Sequence, residues 1–302
     1  MRLLSYWDTT GAARAAIRNE DQVFDAAALL GDERFRDMLE VIRAWQKLEP
    51  LIAGALADAK QRTTAARLHV DLAPPVNSPI IYCAGANYAE HVRVITAKMG
   101  IPSLPDPRTV GLPPFHFVVP PGSIAGPDET IPIPAYAKMF DWEIELAAVI
   151  GRPTTNVSVA DALQSVFGYT IGCDLTCRDN VRAAEPAGSP FRADSISAKG
   201  FTKSCPIGPE IVLAKDVATP QSLGLRLWVD DELMQNSSTS DMIFSVAEQI
   251  AHLSTRVTLM PGDLIMTGTP EGTGAERGIF LKSGQQLRLQ IDGLGELRNK
   301  VI

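Results

Sequence analysis

From residue 80 to the C-terminus, short segments typical of β-strands alternate with turns that contain glycine or proline. Chains with this pattern form mixed or antiparallel sheets with few helices. The dipeptide Asp292-Gly293 predicts a two-residue hairpin turn between the last two strands. Helices are predicted inside this region after the capping residue Ser158 and from Ser240 or Asp241 onward.

Residues 1–75 differ in character and are predicted to form a small α/β domain of their own. Phe35, Met38, Ile42 and Trp45 recur at helical spacing in the predicted helix 35–60. A proline-rich linker follows, so the second domain is predicted to span 76–302. The predicted class is α+β, with mostly β-structure.

Charge and composition narrow the possible partners. The 302 residues include 28 Lys and Arg against 35 Asp and Glu, a net charge of −7 that offers no basic surface for nucleic acid or anionic lipid. The N-terminal segment contains acidic residues and no long apolar block, so we expect no leader, and no stretch of about 18 apolar residues predicts a membrane span. Four cysteines in apolar runs are typical of reduced core thiols. We therefore expect a cytoplasmic protein that binds a small molecule.

The segment FDWEIELAAVIG, residues 140–151, places three carboxylates at alternate positions, on Asp141, Glu143 and Glu145. Because side chains alternate along a strand, these carboxylates are expected to share one face. The strand runs directly into apolar residues, so its carboxylates are expected to be only partly exposed and to need a cation. A solvated strand edge explains the same alternation equally well.

A further carboxylate, Asp174, ends the apolar segment YTIGCDL at a strand terminus, where functional sites are common. Carboxylates without neighbouring cysteine or histidine ligands favour a hard cation such as Mg²⁺ or Mn²⁺. Spacing alone gives this metal site and a purely structural role about equal weight.

Six motifs occur in the order found in the fumarylacetoacetate hydrolase family, which the chain therefore resembles over residues 80–302. They are GANYAEH, DWEIEL, GCDLTCRD, AKGFTKSCPIGP, NSSTSDMIF and PGDLIMTGTPEGTG. The resemblance implies a mixed β-roll catalytic domain that forms a homodimer or a larger oligomer. It also implies Mg²⁺ or Mn²⁺ bound by Glu143, Glu145 and Asp174, and substrates that are 2-oxo acids, acylpyruvates or other β-diketo acids.

Two further motifs supply candidates for substrate binding. Lys199 lies in SAKGFTKS, and the resemblance places it beside the substrate, where its charge would stabilise an enolate or a carboxylate. In MTGTPEGTG, backbone N–H groups near Gly268 and the Thr269 hydroxyl are suited to holding a carboxylate. A surface lysine and a simple turn are the alternatives to these two roles.

His91 is the candidate general base, because a neutral imidazole can take a proton from water near pH 7. In relatives this histidine is often oriented by a glutamate three residues later, but this chain has Val94 there. Glu90 would point elsewhere on a helix. Val119 and Val181 also replace residues common in the family, a lysine and a glutamine.

The leading hypothesis is a metal-dependent hydrolase that cleaves a C–C bond in an acylpyruvate-like or fumarylacetoacetate-like acid, with His91 and Lys199 as catalytic residues. Val94 raises an alternative, a 2-oxo acid decarboxylase or enol–keto isomerase, because these reactions need no well-oriented hydrolytic water. A relative that binds ligand without catalysis is a third possibility.

Overall fold

The structure is a computed structural model that describes residues 1–62, 66–67, 70–98, 100–102, 105–181 and 194–302. Its strands are β1 Arg2–Trp7, β2 Ala13–Asn19, β3 Gln22–Asp25, β4 Ala66–Arg67, β5 Leu72–Ala73, β6 Ile81–Gly85, β7 Phe115–Val119, β8 Ile124–Ala125, β9 Thr130–Ile131, β10 Phe140–Asp141, β11 Ile144–Ile150, β12 Val166–Cys173, β13 Thr176–Cys177, β14 Cys205–Leu213, β15 Gly224–Val229, β16 Glu232–Ser238, β17 Leu264–Met266, β18 Gln286–Ile291 and β19 Gly295–Val301. Its helices are α1 Ala26–Leu30, α2 Met38–Arg62, α3 Ala89–Lys98, α4 Val159–Ala162, α5 Arg178–Val181, α6 Ser195–Lys199, α7 Val246–Ser254 and α8 Gly274–Arg277.

A large mixed sheet organises the described part of the chain. Its strands follow the order β4-β3-β2-β1-β14-β12-β11-β17-β6-β7, with β5 on β1 and β8 on β14. Most neighbours are antiparallel, whereas β17 and β6 are parallel. The central strand β11 is buried along its whole length, because β12 and β17 flank it and both of its faces are covered. The predicted α+β class with predominant sheet is confirmed.

A second sheet of strands β16-β15-β18-β19-β9 packs over the first and encloses the main apolar core. Trp142, Tyr169 and Leu289 lie in this core. On the other side, α2 buries Val41 and Ile52 against a second core cluster. There Trp45 meets Phe167 edge to face, with their ring centroids 5.2 Å apart.

The N-terminal strands extend the large sheet, because β1 pairs antiparallel with β14. The first 75 residues therefore share a sheet with the remainder, and the boundary near residue 75 stays a prediction. The four cysteines are buried and unbridged, as predicted. Among the residues that the structure describes, no helix combines the length and the apolar character needed to cross a bilayer.

Two local predictions differ from the structure in position. The helix expected from residue 240 or 241 begins at Val246, because Ser245 and Glu248 form a capping box there. The hairpin at Asp292-Gly293 is present but has a three-residue loop, since Ile291 pairs with Gly295. The Leu294 N–H donates to the Ile291 carbonyl over 3.0 Å and closes this wider turn.

Candidate active site

Three carboxylates gather where β11 and β12 meet. The chain leaves strand geometry after β10, and the Asp174 N–H donates to the Glu143 carbonyl over 2.9 Å. One ligand atom from each of Glu143, Glu145 and Asp174 lies within 4.8 Å of the others. The partial exposure expected from the sequence is wrong, because these residues are only 5%, 1% and 3% exposed. Burial on both faces of the central strand excludes the alternative of a solvated edge.

Two cationic side chains bind the carboxylates. Lys199 Nζ, at the end of α6, lies 2.7 Å from Glu143 Oε2 and 2.6 Å from Asp174 Oδ2. Arg178, at the start of α5, contacts Glu143 Oε1 through Nη2 and Asp141 Oδ2 through Nε, the latter at 2.7 Å. Lys199 is therefore a largely covered lysine within the site, with 12% of its side chain exposed, and the surface alternative is excluded.

The three carboxyl groups of the triad differ in the direction and size of their pKa shifts. Burial raises the pKa of Glu143, but the charges of Lys199 and Arg178 outweigh this and lower it to about 2. Burial also raises the pKa of Asp174, to about 6, despite the opposing charge of Lys199. The pKa of Glu145 lies well above its ordinary value because of burial and then repulsion from Asp174 and Glu143. Glu145 is therefore the carboxylate whose negative charge is least compensated by neighbouring cations and hydrogen-bond donors.

The donor set fits a divalent metal ion. Four buried carboxylates, those of the triad and Asp141, face two cations, so two negative charges remain when all six groups are ionised. Within the described part of the chain, the one hydrogen bond that Glu145 accepts at its side chain comes from the Gly268 N–H, at 2.7 Å. The Lys199 ammonium already bridges two of the carboxylates as a cation would. Oxygen donors of this kind suit Mg²⁺ or Mn²⁺.

Replacing Glu145 with Gln should stabilise the metal-free protein and weaken metal binding. Burial disfavours the ionised form of Glu145 in the folded protein, and Gln removes this cost. We therefore expect the free energy of unfolding to rise by about 1–4 kcal/mol at pH 7. The gain should shrink as the pH falls toward 4.5, the ordinary glutamate value, because the carboxyl group is then protonated in both states. Denaturant unfolding at several pH values measures this, and a loss of stability at pH 7 would contradict it.

His91 faces the same cluster from α3. Its Nδ1 lies 2.6 Å from Glu276 Oε1 on α8. With the Nδ1 proton donated to this carboxylate, Nε2 keeps its lone pair and can accept a proton. The imidazole is close enough to Glu143 to help lower the pKa of that carboxyl group. The other Glu276 oxygen accepts the backbone N–H groups of Gly272 and Thr273, the latter at 3.0 Å, which fixes the carboxylate in place.

Glu276 is the functional candidate that the sequence reasoning missed. The sequence places Val94 where an orienting glutamate was expected, and Glu90 turns away to bind Arg93 at 2.7 Å. The carboxylate comes instead from 185 positions along the chain. The pattern of Thr273 followed three residues later by Glu276 is a helix-start signal that locates this residue, although it does not indicate its partner.

The loop 267–273 is anchored beside the triad. Thr269 Oγ1 donates to the Ile144 carbonyl over 2.9 Å and accepts from Gln235 Nε2 at 2.9 Å. Gln235 Oε1 in turn accepts the Ile144 N–H at 3.0 Å. The hydroxyl proton of Thr269 is thus already used. The N–H groups of Gly268, Gly272 and Thr273 are used as well, because they donate to Glu145 and Glu276. The contact of Gly268 and Thr269 with a substrate carboxylate therefore stays a prediction, and it would need a backbone N–H of this loop that does not already donate to either glutamate.

The other departures from the family pattern have different outcomes. Val119, the last residue of β7, is buried in the second core cluster and presents no charge to the site. The Phe117 ring lies 5.7 Å from Lys199 Nζ, so this edge of the site is apolar. The side chain of Val181 lies outside the described residues.

Residues 80–302, well over half of the chain, match the family model described as fumarylacetoacetate (FAA) hydrolase C-terminal. The chain belongs to the fumarylacetoacetate hydrolase family. The predicted family is confirmed. Members of this family among the relatives below include hydrolases and tautomerases, so the chain belongs to a family of enzymes.

Three relatives illustrate the range of this family. Oxaloacetate tautomerase fahd2, mitochondrial, from Xenopus laevis is 37% identical over 76% of this chain and 68% of its own length. Maleylpyruvate hydrolase from Sphingobium sp. SYK-6, in complex with manganese(II) and pyruvate, is 30% identical with a TM-score of 0.76 over 100% of this chain and 99% of that one. Fumarylpyruvate hydrolase from Pseudomonas aeruginosa, in complex with Mn²⁺ and pyruvate, is 34% identical with a TM-score of 0.64 over 76% and 91%.

Proposed function

We propose that this protein is a Mg²⁺- or Mn²⁺-dependent hydrolase that cleaves a C–C bond in an acylpyruvate-like β-diketo acid. The observation that carries the proposal is the pairing of His91 with Glu276 beside the carboxylate triad. A general base with an oriented ring next to a metal centre is what hydrolysis requires. Structures of similar hydrolases that contain manganese and pyruvate support both the metal and the 2-oxo acid.

In this proposal Glu143, Glu145 and Asp174 hold the ion. When bound, the ion would supply Lewis-acid stabilisation of negative charge on the 2-oxo and carboxylate oxygens. His91 Nε2 takes a proton from a water molecule, and the oxygen of that water forms a bond to the distal carbonyl carbon. The C–C bond between this carbon and the pyruvyl methylene then breaks.

The electron pair of the broken bond remains with the pyruvyl unit as an enolate. Lys199 lies beside the position where this charge develops and stabilises it through its ammonium group. The proton taken up by His91 returns to the enolate carbon. The products are a carboxylic acid and pyruvate, so one water molecule is consumed for each bond cleaved.

A second candidate is enol–keto tautomerisation of oxaloacetate, which uses the same enolate without an attacking water. The specific observation in its favour is the 37% identity to a protein named oxaloacetate tautomerase. In that reaction His91 would move a proton between carbon and oxygen, and Lys199 would again face the enolate.

A substrate panel separates these two reactions. We expect the protein loaded with Mg²⁺ or Mn²⁺ to release pyruvate from an acylpyruvate, which a coupled lactate dehydrogenase assay measures. Oxaloacetate, followed through the absorbance of its enol, tests tautomerisation, and carbon dioxide release tests decarboxylation. Enol decay accelerated by the protein without pyruvate release from any acylpyruvate would favour the second candidate. Thermal stabilisation by ligand with no product from either substrate would instead indicate a binding protein.

The proposal includes the homodimer that the family resemblance implies. Phe115 and Val118 of β7 are 65% and 54% exposed, and β7 is the edge strand of the large sheet within the described residues. Exposed apolar side chains along a strand edge favour pairing with a second copy of the chain.

A further inference from the structure

We propose that Asp141 is a positioning residue that connects the carboxylate triad to the His91–Glu276 pair, an inference that rests on the proposed function. Asp141 is 0% exposed and is not a member of the group of possible metal ligands. Its carboxylate reaches neither the base nor the triad directly. It bonds instead to Arg178 on the side of the triad and to two backbone N–H groups of α8 on the side of the base.

On the side of the triad, Asp141 acts through Arg178. Arg178 Nε donates to Asp141 Oδ2 at 2.7 Å, and its Nη2 contacts Glu143 Oε1. The guanidinium is rigid and planar, so holding one end fixes the other. The orientation of Glu143 is therefore tied to the position of the Asp141 carboxylate.

On the side of the base, Asp141 acts through the first residues of α8. Its Oδ1 accepts the Gly274 N–H at 2.5 Å and its Oδ2 accepts the Ala275 N–H at 3.0 Å. The next residue in this short helix is Glu276, which bonds to His91. The placement of Glu276 thus depends on the same carboxylate that anchors Arg178.

The fit around this carboxylate leaves little room for movement. A Cβ added at Gly274 would lie 2.6 Å from Asp141 Oδ1 and 2.2 Å from the Ile279 carbonyl oxygen. Asp141 Oδ1 also accepts the N–H of Trp142 at 2.7 Å, so each oxygen has two donors. With every acceptor position used, a change of charge or shape at Asp141 must displace at least one partner.

The test is Asp141→Asn, which keeps the size of the side chain but replaces one acceptor oxygen with an amide NH₂. That NH₂ group opposes a donor, either Arg178 or a backbone N–H of α8, and so disturbs the connection. We expect kcat to fall about 10–100-fold with KM within about threefold of wild type. Arg178→Lys, which keeps the charge without the planar fork, is the second variant and should lower kcat in the same range.

The matched control is Asp263→Asn. Asp263 is 1% exposed and its carboxylate also accepts a backbone N–H, from Met260 at 2.8 Å. It takes no part in the connection described above, so its variant should keep wild-type kcat. If Asp263→Asn lowers kcat as much as Asp141→Asn, the effect is general loss of packing and the inference is overturned.

The double variant Asp141→Asn/Glu276→Gln distinguishes positioning from an independent structural effect. Because Asp141 acts in part through Glu276, the double variant should lose less kcat than the product of the two single losses, and the remaining loss reflects the Arg178 side. Single losses that multiply fully would show that Asp141 does not act through Glu276 and would overturn the connection.

Two readouts need no turnover, which separates this inference from the proposed function. Asp141→Asn should weaken Mn²⁺ binding up to about tenfold by calorimetry and shift the imidazole ¹⁵N resonances of His91, whereas Asp263→Asn should change neither. If no substrate on the panel is turned over, but Asp141→Asn changes both the Mn²⁺ affinity and the His91 resonances, the proposed reaction fails and the connection stands. Unchanged Mn²⁺ affinity and unchanged resonances in a folded Asp141→Asn protein would overturn the connection.

Discussion

Glu143→Gln is expected to abolish metal binding and turnover together. Glu143 supplies one of the three carboxylates of the triad and binds Lys199 and Arg178. Losing a direct ligand should weaken Mn²⁺ binding by more than about 100-fold, beyond the range found for residues that only orient a ligand. Two partly buried cations, Lys199 and Arg178, also lose a partner, so the free energy of unfolding should fall by about 3–5 kcal/mol. Calorimetric Mn²⁺ titration, steady-state kinetics and thermal unfolding measure these three effects.

A matched control for this variant is Glu210→Gln. Glu210 is also a buried glutamate with an arginine partner, Arg18, but it lies outside the triad on β14. Its variant should lose stability without losing Mn²⁺ affinity. Full activity of a folded Glu143→Gln protein would reject the metal centre.

His91→Ala is expected to lower kcat by about 10²–10⁴-fold while Mn²⁺ affinity stays within about threefold of wild type. The reason is that His91 contributes the proton acceptor but is not among the three possible metal ligands. Stopped-flow kinetics on the best substrate of the panel, together with Mn²⁺ titration, test both parts. Wild-type kcat in this variant would exclude His91 as the base.

Glu276→Gln refines the same prediction. Glutamine can still accept a hydrogen bond from His91 Nδ1, but it does not stabilise a positively charged imidazole. We expect a kcat loss of about 10–100-fold, smaller than for His91→Ala. Adding Glu276→Gln to His91→Ala should cost little more, because the two residues act as one unit. A kcat loss in the double variant equal to the product of the single losses would contradict that pairing.

The metal centre could be predicted from the sequence because its ligands lie in two short local patterns. Glu143 and Glu145 stand two residues apart where β11 begins, and Asp174 directly follows β12, which pairs with β11. These patterns alone gave a metal site and a structural role about equal weight, and the family resemblance supplied the ligand set. How deeply these carboxylates are buried could not be predicted from the sequence. Their burial depends on β12, β17 and the second sheet, which come from distant parts of the chain.

The partner of His91 could not be predicted for the same physical reason. The local expectation was a glutamate one helical turn away, and Val94 argued against it. The structure supplies Glu276 through the packing of α8 against α3, a contact of very large sequence separation. The start of α7 is different, because Ser245 and Glu248 form a local capping-box pattern that the sequence does contain.

The position of Lys199 between Glu143 and Asp174 has a consequence for how the protein matures. An acidic pocket that carries its own ammonium group can fold without waiting for an inorganic ion. We therefore expect the metal-free chain to be folded already when it meets its ion.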